Sequence, residues 1–138
     1  MPFSSIYVVT TDYSSFAAEL KRYLASGKKG NVVERAEDAE VTLEILREAS
    51  EKQVLSLSTA GRVREFELRY RVLYRLSDRS KREWISPTEL LLRRDLTFDD
   101  RELLAKENEE ALLLRDMKND AMRQILRRLS KANPPSAT

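Results

Sequence analysis

The chain has 138 residues, 41% of them hydrophobic and 35% charged, with a formal net charge of +2 at pH 7; that is material for one domain and one core, with too little charge to imply a nucleic-acid partner. It contains no cysteine and no histidine, which excludes disulfides, thiolate nucleophiles, Cys/His zinc sites and the usual neutral-pH proton shuttle. A mean hydropathy of −0.53 and the lack of a long uncharged apolar run exclude a membrane-spanning helix.

Met1-Pro2-Phe3 leads straight into β-branched and aromatic sequence, with no basic n-region or apolar h-segment, so no signal peptide is visible. Phe3 to Thr10 predicts a strand. Asp12, Ser14 and Ser15 offer N-caps for a helix whose Phe16, Leu20, Tyr23 and Leu24 fall on one face, with Gly27 placed to end it. Val41, Leu43 and Ile45 alternate with polar neighbours and continue through Val54, Leu55 and Leu57 as one long strand, bent near Ala49-Ser50. Ser58-Thr59-Ala60-Gly61 reads as a hairpin turn. Phe66, Leu68, Tyr70, Val72, Tyr74 and Leu76 then alternate with Glu65, Glu67, Arg69, Arg71 and Arg75, Leu73 being the exception, so this strand has one buried and one wet face. Ser77 to Arg82 is a second turn, and Trp84 to Phe98 a further strand interrupted at Ser86-Pro87, where a bulge or sheet edge is expected. Asp99 or Asp100 caps a long terminal helix, with Glu102 in a capping-box position, and Asn133-Pro134-Pro135 stops it.

The order β-α-β-β-β-α predicts an α/β two-layer sandwich: a four-stranded, mostly antiparallel mixed sheet with two helices packed on one face. The second helix would cover the sheet through Ala111, Leu114, Met117, Ala121, Ile125 and Leu129. Residues 1–132 form a single domain in this reading, and 133–138 a flexible tail.

The pattern argues against catalysis. Glu107, Glu109 and Glu110 lie on one continuous helix beside Lys106, Arg115 and Lys118, the arrangement of an ion-paired solvated face rather than a metal site. Ser56, Ser58, Ser77 and Ser86 have no histidine to activate them, and Gly27-Lys28-Lys29-Gly30 is too short for a phosphate loop. No catalytic residue, cofactor or metal is expected. Arg62, Arg64, Arg69, Arg71 and Arg75 stripe one strand, with Arg93-Arg94 on its neighbour. A small basic RNA-binding α/β domain is the alternative reading, but Phe66, Tyr70 and Tyr74 point away from that stripe and leave no stacking platform. The stripe is either a solvated outer face guarded against edge pairing or a docking surface for an anion.

Two segments carry a resemblance to a known family. They are Leu55-Ser-Leu-Ser-Thr-Ala-Gly61-Arg-Val-Arg-Glu65-Phe-Glu-Leu-Arg-Tyr70, and Leu104-Ala-Lys106-Glu-Asn108-Glu-Glu110 with Arg115-Asp116-Met117 and Gln124-Ile-Leu-Arg-Arg128-Leu129. Their combination and order resemble the LptE family of outer-membrane lipoproteins. The resemblance implies a non-enzymatic lipoprotein on the periplasmic side of the cell outer membrane. It would plug and help assemble the LptD β-barrel and bind lipopolysaccharide in transit to the outer leaflet. It also implies an N-terminal lipid anchor on a segment upstream of Phe3, the domain itself being soluble. Lipopolysaccharide contacts carried over from the family fall on Lys106 and on turn position Thr59. Thr59 is not basic, and Arg62 followed by Arg64 is expected to supply the missing charge. For Lys106 the competing reading is a helix ion pair with Glu102, Glu109 or Glu110.

Overall fold

The computed structural model describes residues 1–11, 15–27 and 31–135. Within them run strands β1 (Ser5–Thr10), β2 (Asn31–Val32), β3 (Val41–Leu57), β4 (Val63–Asp78) and β5 (Glu83–Thr97), and helices α1 (Ser15–Ser26) and α2 (Leu103–Ser130). The sheet order is β2-β1-β3-β4-β5, with β1 parallel to both its neighbours and β3, β4 and β5 antiparallel. The architecture is the expected mixed sheet with two helices on one face, but with five strands instead of four. The extra strand, β2, has two residues, too few for any alternation to register in the sequence.

β4 organises the core. Leu68, Tyr70, Val72, Tyr74 and Leu76 are buried in strict alternation, because one face of an extended chain meets the helices and the other meets water. Phe16, Leu20 and Leu24 of α1 close over Ile6, Leu43 and Ile45. Tyr23 departs from expectation: it is 56% exposed, because the sheet beyond β1 is only the two-residue β2 and offers it no cover. Of the proposed caps for α1, Ser15 begins the helix, while Asp12 and Ser14, like Lys28–Gly30 after its end, lie outside the described residues.

β3 is bent, though not at Ala49-Ser50. Its register with β4 steps between Ile45 and Arg47, leaving Leu46 as an extra residue, and again around Val54, Ser56 and Leu57. Thr11 donates through its Oγ1 to the Leu46 carbonyl at 2.9 Å, which gives the bulged peptide a partner. Past Leu46 the strand runs as a sheet edge, since β1 stops opposite Ile45. The Ser86-Pro87 interruption is the expected bulge: Tyr74 faces Thr88 and Leu76 faces Ile85, with the pair skipped between them, on an edge strand where a missing amide is tolerated.

At the end of the sheet shared by the chain's N-terminal strand, hereafter the proximal end, β4 turns into β5 around Asp78. The Asp78 carboxylate accepts from the amides of Ser80 (2.9 Å) and Arg82 (3.0 Å), from Arg82 Nε (3.1 Å) and from the Trp84 indole (3.2 Å). Burial alone would raise its pKa, but these donors and the Arg82 charge outweigh it and hold the group below its ordinary value of 3.8. A depressed folded value means the stabilisation is present above 3.8 and is lost as pH falls through the folded value. Stability measured by denaturation between about pH 5 and pH 2 is therefore expected to fall less steeply in Asp78→Asn than in wild type. Equal slopes would remove Asp78 from the acid response.

The terminal helix departs from expectation at both its start and its face. Asp99 accepts from the amide of Arg101 at 3.0 Å and caps a 3-10 turn, Asp100–Glu102, while α2 begins after Glu102 without a side-chain cap. The capping box is not formed because Asp99 is occupied by the side chain of Arg101 as well. The buried stripe of α2 is Met117, Ala121, Met122, Ile125 and Leu129, all in its second half. Ala111 is exposed and Leu114 only half-buried. The first half lies over the far end of β3–β5, with Lys106 at Thr97 and Glu110 at Lys52. Ala132 is buried beyond the helix end, and residues 136–138 of the expected tail lie outside the described residues.

Candidate functional site

The end opposite the Asp78 turn, hereafter the distal end, gathers every residue expected to bind a ligand. The β3–β4 turn is closed by Ser58 donating from its amide to the Arg62 carbonyl (2.7 Å) and Gly61 donating to the Ser58 carbonyl (3.0 Å). The Ser58 hydroxyl accepts from the amides of Ala60 and Arg62, each at 3.2 Å. Gly61 sits at φ +79°, a left-handed conformation that a Cβ disfavours. A Cβ there would meet no atom within 4 Å, so Gly61→Ala is expected to lower stability by about 1–2 kcal/mol through backbone strain alone. A chemical-denaturation midpoint unchanged from wild type would contradict this.

Thr59 lies exposed at the crest of this turn. The Arg62 guanidinium lies 3.6 Å from Asp100, with the two side chains 77% and 59% exposed; a pair so wet is weakly held and free to exchange partners. Arg64 is skipped in the β3–β4 register, its carbonyl accepts from the Phe98 amide at 2.8 Å, and it is exposed. No carboxylate among the described residues lies within ion-pair distance of it. Lys106 comes in from α2, donating to Thr97 Oγ1 (2.8 Å) and pairing with Glu109 (3.0 Å), with only 15% of its side chain exposed. Links to Asp100, Phe98 and Thr97 thus bring Arg62, Arg64 and Lys106 onto one short stretch at the end of β5. The helix ion pair considered for Lys106 exists, with Glu109; Glu110 instead pairs with Lys52 at 2.6 Å. Lys52 also lies 4.2 Å over the Phe66 ring, which packs edge-on against Phe98.

The elements that carry these cations also leave apolar side chains without cover. Val54, Leu55 and Leu57 at the end of β3 are exposed, as are Leu103, Leu104 and Leu112 on α2, Leu104 by 72%. The sequence reading assigned none of them a role in binding. The signal was Leu112-Leu113-Leu114, since three successive leucines cannot all face one core. Exchangeable cations beside uncovered leucines suit a ligand that is anionic and greasy at once.

The rest of the arginine stripe behaves differently. Arg75 is held by Glu44 through both Nε (3.0 Å) and Nη2 (3.1 Å), which raises its pKa. Arg71 reaches Glu51 (3.3 Å) and Glu89 (2.9 Å), and Arg69 is bonded to Glu67, whose carboxylate that bond holds below its ordinary range. Arg93 faces Arg69 on this open face, whereas Arg94 points to the helices and pairs with Asp120 at 3.0 Å. The open face is laced by opposite charges, and the aromatics an RNA would stack on, Tyr70 and Tyr74, are buried on the other side. Among the described residues no three acids gather as a metal site.

With this geometry in view, the relatives of the chain can be compared with it. The family model described as LptE, lipopolysaccharide-assembly, matches residues 3–129. Among solved structures, the solution NMR structure of lipoprotein B from Nitrosomonas europaea is 42% identical, covers 94% of this chain and 84% of that one, and superposes with a TM-score of 0.86. The crystal structure of rare lipoprotein B from Shewanella oneidensis is 28% identical over 93% of this chain and 95% of that one, with a TM-score of 0.78. A minor lipoprotein from Acinetobacter baumannii shares the fold at 17% identity and a TM-score of 0.75, covering 97% of both chains. No curated protein matches the sequence.

Proposed function

This chain belongs to the LptE family of lipopolysaccharide assembly, and from that premise we propose that its distal end binds lipopolysaccharide while the domain plugs and helps assemble the LptD β-barrel. The observation that carries the reading is the meeting of Arg62, Arg64 and Lys106 with six uncovered apolar side chains. Lipid A offers phosphates and acyl chains together. Arginine forks match phosphate oxygens bidentately, and exposed apolar patches mark contact surfaces. Lys106 enters by exchanging Glu109, half-exposed and one helical turn away, for a phosphate. Arg62 does so by leaving Asp100, and Thr59 contributes a hydroxyl at the crest of the turn instead of a charge.

The domain acts at the outer membrane from the periplasmic side, held by a lipid anchor on a segment preceding Phe3. Among the described residues no helix is long and apolar enough to cross a membrane. The LptD lumen would cover Leu55, Leu57, Leu104 and Leu112 and weaken screening around the cations.

The test is a double charge reversal, Arg62→Glu with Lys106→Glu. Each group lost from a phosphate contact removes about 1.5–3 kcal/mol, so binding of purified lipopolysaccharide is expected to weaken by at least about a hundredfold while the circular dichroism spectrum stays that of wild type. Undiminished affinity in the folded variant would overturn the assignment. For the barrel, a tagged full-length precursor should recover one large β-barrel protein stoichiometrically from detergent-solubilised outer membrane. Recovery of none would remove the plugging role.

A further inference from the structure

The proximal end carries a second basic surface that the distal site does not use. In the β4–β5 turn, Arg79, Lys81 and Arg82 are exposed. Arg127, Arg128 and Lys131, also exposed, come to the same end because α2 runs back along the sheet: Lys106 lies at Thr97, Asp120 at Arg94, and the charge of Arg128 reaches Tyr74. Among the described residues, Lys81, Arg127, Arg128 and Lys131 have no carboxylate within ion-pair distance. Arg79 donates to the Ala39 carbonyl at 2.8 Å and Arg82 to Asp78. The acids nearby are mostly spoken for: Glu37 and Asp38 pair with Arg35, and Glu40 accepts from the Ser4 amide. Glu83 is the exposed exception.

Two further observations distinguish this end from an ordinary solvated surface. Lys81 holds its ammonium at the tip of the turn in a left-handed conformation, φ 62°, where glycine would be unstrained and a side chain is not. Tyr23, on the last turn of α1, projects an uncovered ring, and α1 runs back from the end of β1 toward this same end. Exposed tyrosine, lysine and arginine are side chains that settle at a bilayer surface. The N-terminal segment emerges here too, with Phe3 packed edge-on against Trp84 at 6.4 Å.

We propose that the proximal end is a docking surface for a bilayer of anionic phospholipid, with Lys81, Arg127, Arg128 and Lys131 meeting headgroup phosphates and Tyr23 entering the interface. Each lysine or arginine near an anionic headgroup adds to such an attraction. The surface is spatially separate from the distal site, so the two fail independently.

The test is flotation of the unlipidated chain with vesicles of phosphatidylcholine alone, or with about a third phosphatidylglycerol, near the anionic content of a charged leaflet. Binding is expected to the anionic vesicles only and to fall as salt rises toward a Debye length of about 8 Å. Each cation removed should weaken partitioning about five-fold, so Arg127→Gln with Arg128→Gln and Lys131→Gln should abolish it. Lys81→Gly should weaken binding while raising the melting temperature, an opposition that a purely structural lysine would not produce. The distal variant Arg62→Glu with Lys106→Glu should float as wild type does. Equal binding to neutral vesicles, no binding at low salt, capture by lipopolysaccharide but not by phosphatidylglycerol, or equal loss in the distal variant would each overturn the proposal.

Discussion

Replacing Tyr70 with alanine is expected to lower the unfolding free energy by about 3–5 kcal/mol and the melting temperature by roughly 10–20 °C. Tyr70 heads the largest fully buried side chains. Its ring meets Phe16 of α1 edge-on at 5.9 Å, lies 6.0 Å from the ammonium of Lys118 on α2, and stands on β4, so one side chain ties both helices to the sheet. Its hydroxyl donates to Glu48 on β3 at 2.9 Å. Burial first, and the adjoining Glu48 second, push its ionisation far above the ordinary value of 10, so it remains a neutral donor at any pH where the protein is folded. Tyr70→Phe keeps the ring and its contacts and should cost only about 1 kcal/mol, the worth of one hydrogen bond. Thermal melts of the two variants check both figures. A Tyr70→Ala loss as small as that of Tyr70→Phe would mean that Phe16 and α1 are held by other contacts.

The second large effect contrasts the two halves of α2. Ile125→Ala is expected to cost about 2–5 kcal/mol, because Ile125 is fully buried against the sheet. Leu104→Ala and Leu112→Ala, whose side chains are 72% and 59% exposed, should stay within about 0.5 kcal/mol. Urea denaturation of the three variants separates these outcomes. If the exposed leucines were costly in the isolated domain, they would be part of its own core rather than of a surface kept for a partner.

The parts of the fold legible in the sequence were those governed by simple period. β4 showed its two faces because every second residue from Phe66 to Leu76 is apolar, and α2 showed its buried stripe from Met117 to Leu129. Legibility ended where local pattern was overridden by what lay opposite. Tyr23 and Ala111 fit the apolar period of their helices yet are exposed, and β2 is too short to alternate. Asp99 was claimed by Arg101 before it could form a capping box. At the distal end, Lys106 and Thr59 were named through the resemblance to the LptE family, with Arg62 and Arg64 expected to replace the charge Thr59 lacks, and the structure brings all four to one end. The partners that decide their availability, Asp100, Thr97 and Glu109, are relations between β5 and the elements it joins, and no spacing in the chain encodes them.

The extra residue at Leu46 has a consequence for how this strand can change its length. Up to Ile45 the odd-numbered residues of β3 face the helices; from Arg47 onward they face the open side, opposite Leu73, Arg71 and Arg69. The bulge therefore acts as a phase break between two independently framed ladders. Removing Leu46 would close the gap and leave every partner of Arg47 through Val54 in place, at the expense of the bond from Thr11. Removing Ser50 would carry each residue between it and the next break at Leu55 to the wrong face, turning Lys52 away from Glu110 and setting Glu51 beneath the helices. Viable length variants in this strand should accordingly cluster at its two leucine breaks, Leu46 and Leu55, which makes these bulges the seams along which the distal half could be lengthened or trimmed without refolding the half that holds the core.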